Sequence, residues 1–156
     1  MTSNPDRWAK SLCATVENLK ENEPCGVRLT GIGLIAYELG MQTKWSVRDT
    51  VPHISRIRDV LFGAKEALEK SAFGVSLHFL ECVGSSDIHV AEDFCSVVSG
   101  FQYIHEITHG YVFEAEIPFQ RRLEGYLCTS ANKLSEYDIP PGVPPSHKWW
   151  WHSLAE

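Results

Sequence analysis

The residues of this chain whose types and spacing could do chemistry fall in one run of five, His105-Glu106-Ile107-Thr108-His109. On a helix, two imidazoles four positions apart lie one turn from each other on one face, a spacing at which a pair of histidines can hold a divalent metal. Glu106, directly after the first histidine, lies about 100° further round, where it can reach a metal-bound water as general base. The chemistry implied is hydrolysis by a metal-activated water, with His105 and His109 as ligands and Glu106 as base. A complete site would need a third protein ligand.

Two elements must position these residues. From Ser86 or Asp87 as N-cap, Ala91, Phe94, Val98, Phe101, His105 and Thr108 recur in steps of three and four, which predicts a helix over 87–109 with Gly110 as its left-handed stop. The period then changes to two: Tyr111, Phe113, Ala115 and Ile117 alternate with Val112, Glu114 and Glu116, which predicts a strand over 111–117 closed by Pro118. A hairpin turning at His109-Gly110 would place His105 opposite Glu114 and mix apolar with charged groups on one face, so the helix is preferred. Gly100 inside that helix is the main conflict, at a cost of roughly 1 kcal/mol relative to alanine.

The HEITH run, with its uncharged flanks Tyr103-Ile104 and Gly110-Tyr111, resembles the signature of the zinc peptidases. That resemblance implies zinc on His105 and His109 and a catalytic role for Glu106. The chain departs from the longer form of the pattern at position 115, where alanine stands in place of a third histidine. Glu124, Cys128 and Glu136 are the acidic and thiol groups downstream, on a further predicted helix. His105 also falls inside the apolar stripe, and the preferred reading makes the two imidazoles scaffold groups. A second, fainter likeness covers Phe73-Gly74 with its strand, the helix carrying Gly100, and Gly110 with Val112 and Glu116. It resembles the vinyl-reductase-type ligand-sensing domains of bacterial effector sensors and their relatives in vesicle-tethering complexes. The resemblance implies a small-molecule-sensing or scaffold role, although the second glycine of the helix and the paired cysteines after the strand are missing.

Elsewhere, Asn4 and Pro5 open a helix over 4–20 on which Trp8, Leu12, Val16 and Leu19 form a stripe. Thr30 precedes GIGLIAYELG, read as a short helix closed by Gly40, with a strand over 27–35 as the alternative because of Gly31 and Gly33. Thr50 and Pro52 start a long helix over 50–72, whose regular stripe suits the core or the seam of a homodimer. A β-branched and aromatic run over 75–83 is a central strand, and 121–137 is a last helix. The segment after it, IPPGVPPSHKWWWHSLAE, has four prolines from Pro140 to Pro145, which favour an extended polyproline run, followed by Trp149, Trp150 and Trp151.

At 156 residues, with 44% hydrophobic and 22% charged residues, the chain has the composition of one globular domain. The expected organisation is a domain over 1–139 and a Pro/Trp-rich tail over 140–156. A net charge of −6 argues against a nucleic-acid partner, because neutralising phosphates takes a clustered basic excess. The five cysteines are widely spaced, which suits a reducing compartment. No apolar run approaches the length of a membrane span and the N-terminus lacks a leader, so a soluble, cytoplasmic protein is expected.

These observations predict an α+β fold: one helix-rich domain with a small sheet from 75–83 and 111–117, and 27–35 as the optional third strand. The sheet would pack against helices 4–20, 50–72, 87–109 and 121–137. The function expected is non-catalytic binding, as an adaptor, sensor or inhibitor. A protein partner or a small-molecule ligand would be taken at a surface or pocket, with Trp149, Trp150 and Trp151 as binding residues and no cofactor. The alternative is a zinc-dependent peptidase built on His105, Glu106 and His109.

Overall fold

The computed structural model describes residues 4–21, 26–68, 88–112, 142 and 144. Four helices carry the described core: α1 (Pro5–Glu21), α2 (Gly26–Thr43), α3 (Ile54–Gly63) and α4 (Ile88–Ile107). Helix α2 packs against both α1 and α4, and α1 also packs on α3.

α1 starts as its sequence dictates. The Asn4 side-chain oxygen accepts the Asp6 N–H at 2.9 Å, while Pro5 occupies the first helical position, where no N–H is needed. Its buried stripe is Ala9, Leu12, Cys13, Val16 and Leu19. On α3 the buried positions are Ile54, Ile57, Val60 and Leu61. These side chains meet Ile32, Ala36 and Leu39 of α2 and Val97, Phe101, Ile104 and Ile107 of α4 in one apolar cluster.

The α2–α4 crossing is glycine against glycine. A Cβ added at Gly100 would lie 1.9 Å from the carbonyl oxygen of Gly33, and one added at Gly33 would lie 2.7 Å from Val97 Cγ1. The backbones of the two helices touch, and a side chain at position 100 would have to push them apart. The conformational cost of glycine within α4 is therefore offset by an approach that no other residue permits.

The expected α+β fold is overturned: among the described residues every regular element is helical and there is no strand. The optional strand over 27–35 lies within α2, which runs unbroken through Gly31, Gly33 and Gly40. Those glycines weaken the helical signal while serving close packing, at Gly33 against α4 and at Gly40 beneath the Trp45 ring, 2.5 Å from where a Cβ would stand. Tyr111 and Val112, expected to begin a strand, belong to the turn that closes α4. The expected strand over 75–83, residues 113–117 and the helix over 121–137 lie outside the described residues.

The expected helix over 50–72 starts later, and its last part, 69–72, lies outside the described residues. Residues 44–53 form turns, and α3 begins after His53, whose backbone is left-handed at φ 57° and whose side chain makes no cap bond. Thr50 and Pro52 mimic a helix start but stand in the turn before it. Helical geometry breaks at Ala64 (φ −104°, ψ 8°) and resumes over 65–68.

Candidate functional site

The HEITH run ends α4. His109 has φ 53° and Gly110 φ 83°, so the left-handed stop expected at Gly110 comes one residue earlier, at a histidine. The Gly110 N–H donates to the carbonyl of His105 at 2.8 Å, and the His109 N–H to that of Glu106 at 3.1 Å. A six-to-one bond enclosing a five-to-two bond around a left-handed residue is the Schellman stop.

Every carbonyl of this last turn has a donor. Ile104 O accepts from Thr108 N–H (3.1 Å) and Thr108 Oγ1 (2.9 Å), Ile107 O from Arg58 Nε (3.1 Å), and Thr108 O from the Tyr111 N–H (3.1 Å). Lys65 Nζ donates to Tyr111 O at 2.8 Å. Two cations from α3 and the residues after it thus meet the carbonyl end of α4, where the helix dipole favours positive charge.

His105 and Thr108 grip one residue between them. His105 Nδ1 donates to the carbonyl of Val112 at 3.0 Å, and the Val112 N–H donates to Thr108 Oγ1 at 3.1 Å. Val112 is fully buried, so both of its main-chain polar groups need partners, and these two side chains supply them. The first histidine and the threonine of the motif therefore turn the chain back and seat Val112 in the core.

A carbonyl acceptor on Nδ1 is also what a metal-binding histidine commonly has. The second ring departs from the motif's helical geometry. The motif sets both rings on one helical face, whereas α4 stops at Ile107 and His109 is exposed, with left-handed backbone. Glu106 is exposed as well. Among the described residues no three His, Cys, Asp or Glu side chains are grouped to hold a metal. Glu124, Cys128 and Glu136, the acidic and thiol groups downstream of the motif, and Trp149, Trp150 and Trp151 lie outside the described residues.

A second polar cluster lies where α2 meets α4, around a tyrosine that sequence patterning does not single out. The Tyr103 hydroxyl donates to Ser46 O at 2.6 Å and pairs with Thr43 Oγ1 at 2.8 Å. Burial pushes this phenol above its ordinary value, partly offset by the bond to Thr43. The Tyr103 ring meets Trp45 edge-on, with centroids 5.4 Å apart. The other signal missed is Gly40 five residues before Trp45: the Trp45 N–H donates back to Gly40 O at 2.7 Å while the indole covers the bare glycine.

At the surface, Phe62 and Tyr111 are the exposed large hydrophobic side chains among the described residues, at 40% and 46% exposure. They touch each other edge-to-face at 5.4 Å, and Lys65 Nζ stands 4.6 Å from the centre of the Tyr111 ring. No helix among the described residues is long and apolar enough to cross a membrane. No family model, curated protein or solved structure matches this chain.

Proposed function

We propose that this chain is a non-catalytic, cytoplasmic binding protein, and that it engages a protein partner through the surface shared by α3 and the turn after α4. The observation that carries the reading is the Phe62–Tyr111 pair, two large rings left in solvent side by side and braced by Lys65. Aromatic side chains such as these are enriched at protein interfaces, where two rings supply large contact area at low entropic cost. Trp149, Trp150 and Trp151 are proposed as a further part of the contact.

The test places a photoreactive benzoylphenylalanine at position 62 of the full chain, with the same probe at Lys10, an exposed site on α1, as control. Irradiation in cells should give discrete adducts from position 62 that disappear when Tyr111→Ser is added and are missing from position 10. Equal adduct patterns from the two positions would sink the reading.

A further inference from the structure

The charges that face solvent beside the Phe62–Tyr111 pair are carboxylates. Asp59 lies three residues before Phe62 on α3, one turn away on the same side of the helix, and Glu66 lies four residues after it, past the break at Ala64; all three are exposed. Among the described residues neither Asp59 nor Glu66 has an ion-pair partner. The cations beside the pair, by contrast, are engaged. Lys65 Nζ donates to the Tyr111 carbonyl at 2.8 Å and lies against that ring. Arg58, its side chain only 20% exposed, donates to the carbonyls of Ile107 at 3.1 Å and Val47 at 2.7 Å. The surface therefore offers two rings with a carboxylate to either side of the first.

Aromatic surface edged by carboxylates, on a chain of net charge −6, repels an acidic partner and favours a basic one. Arginine suits both halves of it, because a planar guanidinium stacks on aromatic rings while its N–H groups reach carboxylates, which the compact ammonium of lysine does less well. A cation over the Tyr111 ring is also a geometry the chain itself uses, at Lys65. We propose that the Phe62–Tyr111 surface takes an arginine-rich segment of its partner, with the rings contacting a guanidinium and Asp59 and Glu66 pairing with the segment's charge. The inference rests on the reading of this surface as a protein-binding one and adds the chemistry of the partner. Exposed charges of this kind raise the rate of encounter with an oppositely charged segment and make its binding sensitive to salt.

The probes are short fluorescent peptides with leucine at every third position and arginine, glutamine or glutamate at all the others, titrated into the full chain and followed by anisotropy. The arginine peptide should bind saturably and at least tenfold more tightly than the glutamine peptide, and the glutamate peptide should not bind. Asp59→Asn combined with Glu66→Gln should weaken the arginine peptide at least fivefold, and so should Phe62→Ser. Asp6→Asn combined with Glu17→Gln makes the same change in net charge on α1 and should leave binding within twofold. The proposal is overturned if the glutamine peptide binds as tightly as the arginine peptide, or if Phe62→Ser has no effect. It is also overturned if the α1 variant weakens binding as much as the Asp59 and Glu66 variant, because overall charge would then be the cause. Discrete adducts from the photoreactive probe at position 62, together with no preference for arginine, would strike this inference and leave the binding surface standing; without such adducts the surface itself would fall.

Discussion

Replacing His109 by glycine separates a helix stop from a metal ligand more cleanly than replacing it by alanine. A left-handed backbone costs an L-residue roughly 1–2 kcal/mol, and glycine escapes most of that at some cost in unfolded-chain entropy. His109→Gly should therefore stabilise the protein by about 0.5–1 kcal/mol, read as a higher urea midpoint at unchanged slope. A loss of stability that tracks a loss of bound zinc would overturn the cap reading. Tyr103 carries a prediction in pH. Its folded-state pKa lies above its unfolded value of 10.0, so its contribution is complete below that pH and declines as the solution becomes more alkaline. Burial raises the Cys13 thiol as well, and acts with the same sign. Tyr103→Phe should cost about 1–3 kcal/mol at neutral pH, because the Ser46 carbonyl loses its donor while Thr43 keeps its bond to Leu39 O, and should flatten part of the alkaline decline in chemical-denaturation curves. The chemistry-bearing residues of HEITH were visible in the sequence; their task was not, because a histidine in left-handed backbone looks the same in sequence as one on a helix face.

Of four glycines on the helices, Gly31 can be replaced, whereas Gly33, Gly40 and Gly100 cannot without moving a neighbour. Nothing lies within 4 Å of a Cβ added at Gly31, so Gly31→Ala should add roughly 0.5–1 kcal/mol through helix propensity alone. Gly100→Ala sets a methyl against the Gly33 carbonyl and should destabilise by about 3 kcal/mol or more. Paired thermal melts of the two variants check both signs, and equal shifts would refute the backbone contact. The same contrast explains which elements could be read from the chain. The helices expected over 4–20 and 87–109 agree with Pro5–Glu21 and Ile88–Ile107 to within two residues, because an apolar stripe and, for the first, an Asn-Pro start mark them. The 27–35 region misled because its glycines serve a neighbour 67 positions away along the chain, from Gly33 to Gly100, and local patterning cannot register a distant backbone. Thr50 and Pro52 misled because nothing in composition reveals that His53 turns left-handed before α3 begins.

Across the molecule, α1 and α3 are tied at their surface by Asp6 with His53 and by Glu17 with Arg56 at 2.9 Å. The hydrogen bond from His53, and after it that from Lys10, holds the Asp6 carboxyl below its ordinary 3.8. A carboxyl depressed in the folded state contributes stability above its unfolded pKa and loses it as pH falls through the folded one. Side-chain NMR should place the Asp6 midpoint below 3.8, and His53→Ala should move it upward; an unmoved midpoint would show that the pair does not persist in solution. Both ties are exposed, so added salt should weaken them.

The bond from the Trp45 indole to Gly142 spans 97 positions of sequence. Closing so long a loop costs chain entropy before any contact rewards it, whereas α1 and α2 follow each other in the chain and pack directly together. Gly142 should therefore dock on Trp45 after the rate-limiting barrier has been crossed. Trp45→Phe should then leave the refolding limb of the chevron in place and raise the unfolding limb, so that this tie governs how long a native molecule lasts and not how quickly one forms.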